Sequence, residues 1–201
     1  MGRIDISSQR SHKRDGCKSR ALIPILNASA CLTTLLTGPV AAQQATPTPP
    51  PPPCSSEAHR GFDFWLGTWD VTPAGQQAPT GVNRIERLHG GCVIRESYST
   101  KGGYSGMSMS FYDAARKRWH QTWMGADGSA LYIEGGVNSD GAMVLSNKNW
   151  PGYADGTPVN RVTWTPNADG SVRQLWEQSR DGEKTWSVVF DGRYVPQATP
   201  Q

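Results

Sequence analysis

The chain has 201 residues, with 20 Lys+Arg against 17 Asp+Glu and as many as 8 Trp. Its basic pI near 8.7 belongs mostly to residues 1–42, which hold 6 basic and 2 acidic side chains; the remainder has 14 and 15, a net charge of −1. The charges are interspersed and no basic run exceeds Arg116-Lys117-Arg118, which reads as a solvated turn, so no nucleic-acid partner is expected.

The N-terminal segment reads as an export signal. Arg3, Arg10, Lys13, Arg14, Lys18 and Arg20 precede the apolar run "ALIPILNASACLTTLL". It ends in "GPVAA", small residues of the kind a signal peptidase reads, which places cleavage after Ala42. A membrane anchor is the alternative, but Pro24, Asn27 and Ser29 interrupt the run of about 20 apolar residues that a span needs. Lipoprotein processing at Cys31 is a second alternative, and Ala28 stands where Leu would favour it. The expected destination is the periplasm or the medium, with no membrane span after cleavage. Residues 43–56 read as a proline-rich polyproline II spacer. One domain is expected over residues 57–196, followed by a frayed tail at 197–201.

Cys54 and Cys92 remain after cleavage. An even pair in an exported chain is expected to form a disulfide, closing a loop that the chain-entropy model values at about 4 kcal/mol. The rival is a metal site at His89 and Cys92, three apart, with no second cluster to complete it. No metal is expected.

From residue 67 onward the hydrophobic period is two. Ile94, Glu96 and Tyr98 share a face with Cys92. Met107, Met109 and Phe111 alternate with Ser108, Ser110 and Tyr112. Trp119, Gln121 and Trp123 alternate with Arg118, His120 and Thr122. Val162 and Trp164, then Val172, Gln174 and Trp176, then Trp186, Val188 and Phe190 continue the pattern. Such repeated alternation predicts half-buried antiparallel strands. Asp-Gly at 127–128, 140–141, 169–170 and 181–182 predicts type I′ hairpins between them. An all-β fold follows: an antiparallel up-and-down barrel of about eight to ten strands, closed so that no edge is exposed. A short turn is expected within residues 57–66. The irregular stretch at 148–160 is too long for a hairpin and is placed over a barrel mouth.

The segment "WLGTWDV" contains Gly67-Thr68-Trp69, which resembles the Gly-x-Trp of the first strand in lipocalins and related calycin barrels. With "GGCVIRE", "SFYDAARKRWHQTW", "RVTWTP" and "DGEKTWSVVFDGRY", the chain resembles an uncharacterised family of exported bacterial lipocalin-like proteins over residues 59–195. The resemblance implies that Trp69 closes one end of the barrel. It also implies that a basic residue of the last strand, Arg193, packs across Trp69. A haem barrel of the same superfamily, nitrobindin, ligates iron through a histidine near its C-terminus. Here the histidines are His12, His59, His89 and His120, so that ligand is missing and no cofactor is carried over.

With the apolar faces turned inward, Glu96, Gln121 and Gln174 turn inward too. Buried polar groups need partners. They either bond to one another, Tyr98 and water, or orient a ligand against walls of Trp119, Trp123, Trp164, Trp176, Trp186, Met107 and Met109. Arg84 and Glu86 are placed as an internal pair. His120, Asp113 and Ser110 form a conceivable triad, but His120 falls on the polar face. No Gly-x-Ser-x-Gly, His-Glu-x-x-His, Walker or dinucleotide motif is present. The sequence therefore leaves a binder of a small apolar or aromatic molecule, a filled barrel serving structure or protein interaction, and a barrel enzyme using Glu96 as acid or base. It assigns no oligomeric state.

Overall fold

The computed structural model describes residues 49–198. The expected signal, its cleavage site and Cys31 lie outside them. Two 3₁₀ turns, Glu57–Arg60 and Asp63–Trp65, lead into ten strands. These are β1 (Gly67–Pro73), β2 (Gly81–Leu88), β3 (Val93–Thr100), β4 (Ser105–Asp113), β5 (Arg118–Gly125), β6 (Ala130–Val137), β7 (Met143–Ser146), β8 (Val159–Pro166), β9 (Val172–Ser179) and β10 (Ser187–Pro196). Each pairs antiparallel with the next, and β10 closes on β1. This is the up-and-down barrel that the alternation and the hairpin signals predict. Connections β1–β2, β3–β4, β5–β6, β7–β8 and β9–β10 lie at one end, the mouth. The remaining connections and the two 3₁₀ turns lie at the other, the base.

The base is filled by aromatic rings. The Asp63–Trp65 turn brings Phe62 edge-on to Trp119 at 5.1 Å and to Trp164 at 5.2 Å, and Trp65 lies 5.5 Å from Trp164. Phe62, Trp65 and Trp164 are fully buried, and Trp69 and Trp119 nearly so. Rings of this size each remove roughly 150–250 Å² from water, which makes the plug a large apolar contribution to the fold. Trp119 Nε1 donates to Ala58 O at 3.1 Å, and Trp69 Nε1 donates to Trp65 O at 2.9 Å. Gly67 sits at φ 129°, a left-handed value that a side chain would resist, where the chain passes from the plug into β1. Cys54 and Cys92 form a disulfide with Cα atoms 5.1 Å apart, tying the segment before the plug to the β2–β3 connection. Cys92 therefore offers no thiolate to a metal, and the described residues contain no metal-ligand cluster.

Several expected faces are corrected by neighbouring strands. Glu96 lies opposite Ser108, and Ser110 opposite Gln121. Cross-strand partners share a face, so inward Glu96 and Gln121 bring Ser108 and Ser110 inward, both fully buried. Met107, Met109 and Phe111 consequently lie on the outer wall. In β10 the register shifts between Val188 and Phe190. The extra residue reverses the alternation: Val188 is 62% exposed, and Trp186 sits outside the barrel beneath Arg161, whose guanidinium carbon is 3.9 Å from the ring centroid. Downstream of that shift Tyr194 points inward, so Arg193 points outward. It pairs with Asp169 at 2.7 Å and does not pack across Trp69. Arg84 and Glu86 also pair outside, at 2.7 Å, because Asn83 and Ile85 hold the inward positions of β2.

Three Asp-Gly hairpins share a geometry other than the expected one. Gly128, Gly141 and Gly170 each donate to the carbonyl three residues back, at Gly125, Asn138 and Asn167. Only the glycines have positive φ, at 79–81°. These are type I turns closed by a left-handed glycine, the three-residue bulged hairpin, rather than type I′. Asp127 and Asp169 hold the turns by accepting the backbone N–H of Ser129 and Ser171. The 148–160 stretch does reach the mouth end, but it is folded against the outside: Trp150 stacks on the outward ring of Tyr132 at 4.7 Å.

Candidate functional site

Above the aromatic plug the barrel encloses a cavity of about 230 Å³. Strand geometry builds it from alternating inward positions. Trp123, Trp176, Phe190 and Tyr98 form walls with Val162 and Leu131, and Tyr104 and Val189 stand at the rim. Tyr104 and Val189 are 38% and 47% exposed, so the cavity opens toward solvent at the mouth. Glycines make room for two of the rings. A side chain at Gly106 would meet the Trp123 ring within 2.3 Å, and one at Gly81 would meet Tyr98 within 2.8 Å. The indole of Trp176 donates to Asn160 Oδ1 at 2.9 Å, which anchors that wall.

The polar groups are Glu96, Gln121, Gln174 and Tyr194. Glu96 accepts from Asn83 Nδ2 and from Ser108 Oγ, each at 2.7 Å. Gln121 Nε2 donates to Ser110 Oγ at 3.1 Å, and the Tyr194 hydroxyl donates to Gln174 Oε1. Each of the three expected polar residues thus has a protein partner and keeps further hydrogen-bonding capacity. Burial raises Glu96 from the usual 4.5 to about 7, against the opposing bonds from Ser108 and Asn83. Burial likewise raises the hydroxyls of Tyr98 and Tyr194, helped by the neighbouring Glu96, so both stay neutral at physiological pH. Asn83 Oδ1 is buried without a partner. A protonated Glu96 can donate to it if the amide is turned over.

Of the residues expected to contact a ligand, Glu96, Gln121, Trp123, Gln174 and Trp176 line this cavity and Trp164 does not. Trp164 belongs to the plug one layer below, as does Trp119. Asn83, Ser108, Ser110 and Tyr194 are the site residues that sequence reasoning misses. The serines read as the polar, outward parity of β4, and only the length of a polar cross-strand series through Glu96 and Gln121 could have signalled otherwise.

The described titratable residues outside the cavity make a second cluster on the outer wall. Glu134 is 1% exposed and takes two bonds from the Arg116 guanidinium, with His120 Nδ1 at 3.1 Å and Arg118 at 3.9 Å. Burial opposes its ionisation, but Arg116 and His120 outweigh this and hold its carboxyl below the usual range. His120 Nε2 is 2.8 Å from Thr122 Oγ1. Ser110 faces the interior beside Gln121 and cannot join His120, so the conceived triad does not form.

No protein-family model matches the chain, and no curated protein matches it.

Proposed function

We propose that the protein is an exported, lipocalin-like binder of a small apolar or aromatic molecule, held in the barrel with Glu96, Gln121 and Gln174 as polar contacts. The observation that carries this reading is the division of the interior. A solid aromatic plug closes the base, yet the mouth half keeps an open cavity with four polar side chains and six aromatic rings around it. A few convergent polar groups in an otherwise apolar concavity are what ligand sites share. The filled-barrel alternative expects no such space. The cavity lies below the roughly 300–1,000 Å³ of drug-sized sites, which favours a ligand of one ring or a short chain. Export is supported by the disulfide, which forms and persists in oxidising compartments.

Native mass spectrometry of protein purified from its own host tests the reading directly. A small molecule should accompany the chain and leave on denaturation. An empty protein that also shows no saturable quenching of its indoles by any apolar fluorescent probe would retire the binder and restore the filled barrel. One observation favours a second reading: Glu96, raised to about 7 inside the cavity, suits a general acid or base. In that case Glu96→Gln abolishes turnover of a bound substrate while leaving its affinity in place.

A further inference from the structure

The cavity carries one carboxyl group and nothing to balance it. Among its lining residues there is no Lys, Arg or His. Elements on every side present neutral groups to Glu96. Asn83 faces it from β2, Ser108 from β4, Gln121 from β5, Gln174 from β9 and Tyr194 from β10, with Tyr98 on its own strand. Of these only the two tyrosines titrate, and both are held neutral. Of the arginines of β2 and β3, Arg84 and Arg95 sit on the outward parity and are engaged with Glu86, while Arg87, opposite Ile94 at the base end of β2, is engaged with Asp63. An ionised carboxylate enclosed without a counter-charge is costly. The walls around it are aromatic: Tyr98 and Trp123 lie 6.4 Å apart at a 54° tilt, and Trp176 and Phe190 line the other side. Aromatic rings beside one carboxylate form a recognition site for organic ammonium groups. An anion would meet only the negative charge and the ring faces. A neutral molecule would leave the ionised carboxyl uncompensated and would suit only its protonated form.

We propose that the ligand of this cavity is a small organic cation, a protonated amine or quaternary ammonium with an apolar body, whose charge pairs with Glu96 between the aromatic walls. This rests on reading the cavity as a small-molecule site and names the chemical class it takes. Protons and ligand then compete for the same carboxyl group. A bound cation favours the ionised form, and loss of that proton to solvent accompanies binding near neutral pH.

Three probes of one shape separate the outcomes: benzylammonium, benzyl alcohol and benzoate, titrated into the purified protein by calorimetry with indole quenching as a second signal. Benzylammonium stays charged from pH 5.5 to 8.5, whereas Glu96 with a value of about 7 goes from mostly protonated to mostly ionised. Benzylammonium affinity should rise about thirtyfold over that range. Benzyl alcohol should bind more weakly, with an affinity that does not rise with pH, and benzoate should bind worst. Glu96→Gln should remove the preference for the cation and the pH dependence together. If that variant fails to fold, the wild-type pH profile alone still decides. Saturable benzyl alcohol binding equal to that of benzylammonium, flat with pH, overturns the cation proposal and leaves the binding site standing. Saturable binding of none of the three overturns both.

Discussion

The two halves of the barrel interior use the same side chains to opposite ends. At the base, Trp65, Trp119 and Trp164 pack around Phe62 and leave no exposed edge. At the mouth, Trp123 and Trp176 are only half-buried and stand around open space. The difference comes from what enters each end. The base receives a folded segment of the chain, the Asp63–Trp65 turn with Phe62 before it. The mouth receives only hairpin connections, and its longest one folds back on the outer wall through Trp150. An indole is thus structural or site-forming according to whether another part of the chain reaches it.

The largest effects should come from breaking the base. Phe62→Ala or Trp164→Ala should cost about 3–5 kcal/mol in chemical denaturation, as deletion of a large core aromatic does. Trp176→Ala at the mouth should cost clearly less, because that ring already faces open space. Equal losses at the two ends would show that the mouth is packed as tightly as the base.

Opening the strap over the plug comes next. Cys54→Ser with Cys92→Ser should lower stability by about 4 kcal/mol at most on the chain-entropy estimate. Hydrogen exchange should report the loosening in residues 57–66 before the β8–β9 and β9–β10 hairpins. Two reactive thiols per chain in the unreduced, denatured wild type cut after Ala42, where Cys54 and Cys92 are the cysteines left, would show that the bond is absent.

A smaller effect belongs to the mouth alone. Glu96 is raised from 4.5 to about 7, so the folded chain keeps a proton that the unfolded chain releases over that window. The stability this group contributes is full below pH 4.5 and is lost as the pH rises through 7, a change of about 3 kcal/mol at most. Denaturation midpoints for wild type should therefore fall between pH 5 and 8. Glu96→Gln, which stays neutral, should flatten that part of the curve and exceed wild type at pH 8. A wild-type profile that rises over this window would mean that Glu96 is ionised in the fold.

The smallest effect sharpens the contrast from outside. Arg193 and Asp169 are both more than half exposed, so Arg193→Ala should not move the denaturation curve measurably. Combined with Trp69→Ala it should be strictly additive. Coupling between the two would restore the packing of Arg193 across Trp69.

Much of this architecture was legible in the residues. The period of two and the repeated Asp-Gly punctuation specify a meander of strands, and a meander of this length must close or leave an edge. The even pair of cysteines specified the disulfide. The resemblance of Gly67-Thr68-Trp69 to the Gly-x-Trp of lipocalins implied the closed end. Glu96, Gln121 and Gln174 were found because each interrupts an apolar parity. What misled was parity judged one strand at a time. In β4 methionines alternate with serines, and hydrophobicity alone turns the methionines inward. The partners across the sheet, Glu96 and Gln121, turn the serines inward instead. In β10 one extra residue between Val188 and Phe190 moved Trp186 and Val188 to the outer wall, and no residue type announces that shift; Arg193 lies outward by the alternation that runs from Phe190.

The sequence by itself determined the class of fold, the disulfide and the presence of inward polar groups, because these depend on local periodicity and on residue types with few alternatives. Only the tertiary structure decided which indoles fill the base and which surround a cavity, which polar groups meet Glu96, and that no positive charge reaches it. Those facts depend on the register between paired strands and on what meets across the barrel, and a single-residue slip in register exchanges the two faces of a strand.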